Sequence, residues 1–454
     1  MTRFSEQKIN IDKKAFLVLC LTFLHFITVT PILAQNQEAF PLPISQYRLK
    51  NGLQVILSED HRAPLVSVVV AYNVGSIDEQ PGKTGLAYLL GNLMFQGSQN
   101  VSRMQHITYI NRTGGTLNAS TSEDKTLYYQ TVPSNQLALV LWLESDRMRY
   151  LRITESNVER SKNSLIDEIQ HRKATDLYLD SFFAFDQLIF PDFAYSHPVI
   201  GSIEDIRRIT VEDVKKFYST FYAPNNAVLC VVGNFNQRRA EELIKKYFES
   251  LPQGKELSSS LIAESIEKIS TEKTLEDSLA PLPGYHLGFR IPSPYSNDYY
   301  AFKILEYILL RGNTSRLHER LYKKERIVYD YSGGIDKRRN YAVFKLFVLG
   351  SNEIVLDRSR RAISSEIDKL KSTPLSEKEL TKSKNMFKMD YIKKHSTTQE
   401  KALFLTEAAL SQIGLDELAA ELQKYLDVKP ADIIRITNKY FTSDNRVFLS
   451  IKIK

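Results

Sequence analysis

Cysteine, tryptophan and histidine are scarce in this 454-residue chain, at two, one and eight residues, and each scarcity excludes something. Cys20 falls in an N-terminal stretch expected to be removed, which leaves Cys230 as the one cysteine of the mature chain. A single cysteine makes no internal disulfide, and its setting, AVLCVVG, is that of a buried small hydrophobe in a strand. Seven histidines remain after the leader: His61, His106, His171, His197, His286, His318 and His395. No two are three or four residues apart, so none forms a helical ligand pair. His318-Glu319 opens like His-Glu-x-x-His, but the closing position is Tyr322. Most of the histidines read as surface or loop residues. No Gly-x-Ser-x-Gly elbow is present, so neither a serine nor a cysteine nucleophile is supported.

Long apolar runs are also missing beyond Ala15–Ile27, which is shorter than the ~20 residues that a membrane span needs. Arg3, Lys8, Lys13 and Lys14 precede that run, and Pro31 and Ala34 follow it. The pattern predicts a signal peptide over residues 1–34, cleaved after Ala34, with no stable membrane span afterwards. Leu19 is too large for Cys20 to be a lipid-modified position. Losing four basic and two acidic residues takes the formal charge from +7 to +5. The charge is spread along the chain without a basic arm, which argues against nucleic-acid binding.

What is present is ordinary globular composition, 43% hydrophobic and 25% charged. Tyr47–Leu57 reads as two strands around Asn51-Gly52, and Val66–Val74 as a central, β-branched strand. A Gly/Pro-rich loop then leads into a helix that opens near Thr84. Strands are expected over Thr116–Val132, bent at Ser120–Lys125, and at Ala227–Val232. Helices are expected over Gln105–Thr113, Gln136–Met148, Glu155–Leu179, Val211–Phe221 and Arg238–Ser250.

The stretch 211–232 can be laid on 430–451 without a gap, at an offset of 219 residues that pairs Asp213 with Asp432 and Asn226 with Asn445. So long a repeat implies a duplicated domain rather than a solenoid. The predicted organisation is a domain over 35–255, a linker over 256–283 and a homologous domain over 284–454. The fold class is α+β, each domain an antiparallel sheet packed with helices.

Short stretches in this order carry a resemblance over roughly residues 45–454: GSIDE (75–79), GGTLNASTSEDKTLYY (114–129), LESDRM (143–148), IGSIEDI (200–206), GNTSRL (312–317) and ITNKYFTSDNR (436–446). The chain resembles the pitrilysin–insulinase zinc metallopeptidases. The resemblance implies two homologous α+β domains per half-size chain, forming half of a clamshell chamber. In active members the helix after GSIDE carries His-x-x-Glu-His, two histidines and a distal glutamate hold zinc, and the motif glutamate is the general base. Here those five positions are Tyr88, Leu89, Leu90, Gly91 and Asn92. Glu168 stands near the place of the third ligand, and reads as a leftover or a helix-surface charge.

No catalytic or metal-binding residue is therefore expected in this chain, and zinc is expected in a partner that keeps the motif. The chain is similar to the alpha-like, non-catalytic subunits of processing peptidases. In such two-chain members an Arg and a Tyr of the second domain hold substrate near the partner's zinc; Arg316 and Tyr329 match those positions. Asn118 and Ala119 match the edge strand that aligns a peptide by strand addition. The expectation is an exported, periplasmic pseudopeptidase subunit of a heterodimer acting on peptides. The alternative is a non-enzymatic peptide-binding or assembly protein with the same fold.

Overall fold

In this computed structural model, residues 44–190, 192–257, 268–339, 341–411 and 414–454 are described. The expected signal peptide lies outside the described residues, as does part of the expected linker. β1 (Ser45–Arg48) and β2 (Gln54–Glu59) form a hairpin around Asn51-Gly52. Gly52 has φ of +89°, and a Cβ there would lie 2.6 Å from Asn225 Cβ, so the turn takes glycine for both conformation and space. β3 (Leu65–Tyr72), β4 (Thr116–Thr121), β5 (Thr126–Pro133) and β6 (Ala227–Gly233) complete a six-stranded sheet in the order β1-β2-β6-β3-β5-β4. β3 and β6 lie at its centre, which is why their β-branched runs are buried on both faces.

The second sheet runs β7-β11-β8-β10-β9, from β7 (Thr271–Asp277), β8 (Gly284–Ile291), β9 (Asp330–Lys337), β10 (Ala342–Leu349) and β11 (Val447–Ile453). The duplication is plain in the element bounds. Adding 219 carries β3 onto β8, and the helix Val211–Phe221 onto Pro430–Tyr440.

Two expectations need correction. Each sheet contains one parallel pair, β2 with β6 and β7 with β11, so neither is wholly antiparallel. The stretch 256–283 is not all linker, since β7 lies within it. Its TEKTLED sequence is strand because it is a sheet edge, where outward-facing charges are tolerated and one side needs no partner.

Helices 86–93, 137–150, 211–221 and 237–248 bury one face of the first sheet. Its other face is covered from the second half, by the helix Thr398–Leu410. Ala402 and Leu405 pack there on Ile56, Val69, Ala71 and Cys230. The Cys230 thiol is fully buried, and that burial pushes its pKa up to about 12. The first half returns the exchange. Its helix Leu179–Ile189 places Phe185 and Ile189 on the second sheet, against Val343, Val447 and Leu449. Gly288 of β8 makes room, since a Cβ there would come within 2.5 Å of both Phe185 and Ile189. Burying a large apolar side chain stabilises by roughly 1.5–3 kcal/mol. The exchanged helices therefore tie the two halves into the one compact unit that holds the described residues.

Candidate functional site

The helix Leu86–Leu93 is built by Leu86, Ala87, Leu89, Leu90 and Leu93, all buried. The remaining positions, Tyr88, Gly91 and Asn92, face a cavity of about 430 Å³. Its other walls are Ala119–Thr121 of β4, Arg172, the helix Leu179–Ile189 at Phe183 and Asp186, and the loop 196–200. Gly91 sits closely on β4, where an added Cβ would lie 2.8 Å from Thr121 Oγ1.

Glu79 fixes the start of this helix. Its buried carboxylate accepts from the N–H of Gly85 at 2.9 Å and of Ala87 at 2.7 Å, which supplies partners to the helix terminus. Gly85, with φ of +89°, lets the chain turn into the helix against Ile200 and Gly201.

Glu168 stands on the long helix Glu155–Thr175 and is not a bystander. Its Oε1 accepts the Tyr88 hydroxyl at 2.9 Å and Arg172 Nη2 at 2.6 Å. Arg172 Nη2 also donates to the Tyr88 hydroxyl at 3.4 Å. Burial first, and then the hydrogen bond to Glu168, raises the Tyr88 pKa above its ordinary value, so it stays a neutral phenol. Zinc needs nitrogen, sulfur or carboxylate lone pairs at about 2.0–2.3 Å. The donor set here is a neutral phenol already donating, an amide, a glycine, and a carboxylate neutralised by an arginine. A zinc ion does not fit it. Among the described residues no group of three or more His, Cys, Asp or Glu side chains could hold a metal ion elsewhere.

One cavity wall is strongly charged. Asp186 and Glu123 meet Arg338 and Lys345 of the second half, with Asp186 3.6 Å from Arg338 and 3.8 Å from Lys345, and Glu123 in direct contact with Arg338. Asp336 completes the cluster, 2.7 Å from Arg338 and 2.6 Å from Lys345. Burial pushes Asp186 up to about 6. Burial also opposes ionisation of Asp336, but the Arg338 hydrogen bond and charge overcome it and hold that carboxyl at about 2.

Two of the seven histidines depart from the surface-or-loop reading. His106 and His286 are buried, and burial lowers both to about 3. His286 stacks on Phe185 and Phe347, and His106 meets Gln130 Oε1 at 3.1 Å. His197 lines the cavity and bonds Glu79.

The expected substrate residues are placed separately. Asn118 and Ala119 lie on β4, an edge strand that among the described residues pairs with β5 alone. Ala119 faces the cavity, whereas Asn118 is exposed and accepts the Ala119 N–H at 2.8 Å. Arg316 is not free. Its Nε and Nη2 grip both oxygens of Glu379, at 2.8 and 2.9 Å. Tyr329 is 70% exposed, with its N–H bonded to Leu349 O at 2.9 Å. Neither lines the cavity beside Tyr88. Sequence reasoning passed over Arg172, Glu79, His197 and the Arg338 cluster. The spacing of Glu168 and Arg172, one helical turn, was the signal available for the first.

Comparison with known proteins shows the family. A model of the insulinase family, peptidase family M16, matches residues 54–183, and a model of the peptidase M16 inactive domain matches 208–387. Zinc protease PqqE of Helicobacter pylori is 30% identical over 410 residues, covering 88% of this chain and 91% of that protein. An uncharacterized zinc protease of Rickettsia felis is 25% identical, over 87% and 94% of the two chains. The crystal structure of a protease from Helicobacter pylori superposes with a TM-score of 0.84 at 28% identity, over 90% of this chain and 99% of that one. A putative M16-like peptidase from Alicyclobacillus acidocaldarius shares the fold, with a TM-score of 0.79 at 18% identity, over 92% and 100%.

Proposed function

This chain belongs to the insulinase family, peptidase family M16, and from that premise we propose that it is the non-catalytic subunit of an exported two-chain zinc peptidase. The observation that carries the proposal is the Tyr88–Glu168–Arg172 contact set, which stands where active members hold metal and leaves the cavity open beside it. In this reading a partner chain with an intact His-x-x-Glu-His supplies the zinc, and this chain closes the chamber and offers a peptide surface along β4. The leader pattern supports export, and a half-size chain of this family behind such a leader supports a bacterial periplasm.

The test is reconstitution. The purified mature chain is assayed for zinc and for peptide hydrolysis alone, and then after mixing with a family member that keeps the motif. We expect neither zinc nor turnover alone, and a stable complex with peptidase activity above that of the partner by itself. Stoichiometric zinc and cleavage by this chain alone would overturn the proposal.

The closed Arg316–Glu379 pair favours a second reading, a non-enzymatic peptide-binding or assembly protein. Arg316→Ala and Tyr329→Phe in the reconstituted complex separate the two. Lost turnover assigns both residues to substrate, and unchanged turnover favours the scaffold.

A further inference from the structure

We propose that Arg172 takes the metal's place in this chain, as a resident cation that binds a main-chain carbonyl of an extended peptide lying along β4. The ligand in this inference rests on the peptide-binding reading above; the role of Arg172 rests on the contacts it makes.

A metal between these two helices would do three things: neutralise Glu168, join the helices, and face the cavity as a positive centre. Arg172 does the first through its 2.6 Å contact with Glu168. The second follows because Glu168 Oε1 also accepts the hydroxyl of Tyr88 from the opposite helix. For the third, two guanidinium nitrogens are left for a ligand. Nη2 makes both protein contacts, while Nε and Nη1 have no hydrogen bond among the described residues, and Arg172 lines the cavity.

The same cavity is lined by Ala119, Ser120 and Thr121 of β4, whose outer edge has no strand beside it among the described residues. A peptide added there passes Arg172 with its carbonyls available, and its affinity comes from main-chain hydrogen bonds. A neutral carbonyl suits the site, because the Arg172 charge is already balanced by Glu168 at 2.6 Å. A guanidinium donates to a carbonyl but does not acidify a bound water as zinc does. The cleft therefore holds a peptide without cutting it.

The probe is a dye-labelled nonapeptide of alternating serine and valine, blocked at both ends, with binding followed by fluorescence anisotropy. A second probe carries the same sequence with alternate amides N-methylated, which prevents strand addition. The natural chain is expected to bind the first probe and not the second. Arg172→Ala and Arg172→Gln are expected to weaken the first by about ten-fold or more, the loss of one charge-assisted hydrogen bond. Circular dichroism checks that both variants fold, and Arg172→Gln keeps the size and polarity of the position. If the natural chain discriminates between the probes and both variants bind as tightly, the role given to Arg172 fails while the strand-addition reading stands. If the natural chain binds both probes alike, or neither, the strand-addition reading fails and this inference with it.

Discussion

His197 and Glu79, 118 residues apart, meet in a 3.1 Å hydrogen bond at the start of the motif helix. The other ring nitrogen, Nδ1, faces the carbonyl of Phe193 at 2.6 Å. A carbonyl only accepts, so Nδ1 donates, and Nε2 donates to a carboxylate that is itself receiving two backbone N–H groups. Both nitrogens donate in the charged imidazolium. Burial opposes that charge, but the bonds to Glu79 and Phe193 outweigh it and set the pKa above the ordinary 6.5.

A pH dependence of stability follows. A histidine whose folded pKa is raised contributes in full below its unfolded value and loses the contribution as pH rises through the folded one. The natural chain should exceed His197→Gln by about 2 kcal/mol at pH 6, the scale of a hydrogen bond to a charged group. The gap should narrow steadily from pH 6.5 upward. Urea unfolding of both proteins across pH 5.5–9 checks this, and a gap that widens with pH would refute it.

Arg338 leads to a second prediction. It lies buried where the halves meet, among Glu123, Asp186 and Asp336. Removing one partner of a buried charge network costs about 3–5 kcal/mol, because the remaining charges stay desolvated. Arg338→Ala should therefore be among the most destabilising single changes outside the apolar core at pH 7. Asp336, held at about 2, contributes stability above its ordinary 3.8 that is lost as pH falls through about 2. The cost of Arg338→Ala should accordingly shrink as pH falls from 4 to 2, which acid-unfolding curves of the two proteins will show.

Asp186 has the opposite sign. Its folded pKa of about 6 lies above the ordinary 3.8, so folding retains a proton that the unfolded chain releases. Stability attributable to this group is full below 3.8 and falls as pH climbs towards 6. Asp186→Asn should flatten the decline between pH 4 and 6 relative to the natural chain. Thermal midpoints at half-unit intervals measure the slope directly, and an unchanged slope would remove Asp186 as its source.

Much of this was legible in the sequence, and the rest fails for identifiable reasons. The β-branched runs of β3 and β6 announced a sheet centre, and the 219-residue offset announced the duplication. Periodicity shows that a helix has an apolar face but not which sheet receives it, so the exchange of helices Leu179–Ile189 and Thr398–Leu410 was invisible. The edge strand β7 reads as linker because four of its seven residues are charged. At the site, the loss of chemistry at Tyr88, Gly91 and Asn92 was plain. The Arg316 pairing was invisible because its partner, Glu379, stands 63 residues away with no periodic relation to it. Glu168 read as a leftover because one strand of sequence does not show Tyr88 reaching across to it.

Gly201 ties the loop that walls the cavity to the motif helix. Its φ is +78°, and an added Cβ would fall 2.5 Å from both Cα and N of Gly85. Both obstructing atoms are backbone, so no side-chain rotation relieves them. Left-handed backbone costs roughly 1–2 kcal/mol for an L-residue, and overpacking typically adds about 1–3 kcal/mol. Gly201→Ala should thus destabilise by about 2 kcal/mol or more. It should also weaken the nonapeptide through displacement of residues 197–200. Unfolding and anisotropy on the one variant check both effects.

Restoring the motif alone should not restore the metal. Tyr88→His, Gly91→Glu and Asn92→His together supply the two imidazoles and the base, but Glu168 remains in contact with Arg172. Zinc entering that site must displace a guanidinium and leave its charge beside a dication, at a few ångströms. The triple variant should retain little zinc after dialysis. Adding Arg172→Ala should raise the retained metal towards one per chain, measured by mass spectrometry of the digested protein. Gly91→Glu must also push aside Thr121 Oγ1, so a companion set keeps Gly91 and changes only Tyr88 and Asn92 to histidine, with and without Arg172→Ala. Equal zinc in the presence and absence of Arg172, in both sets, would show that the guanidinium does not hold the metal's place.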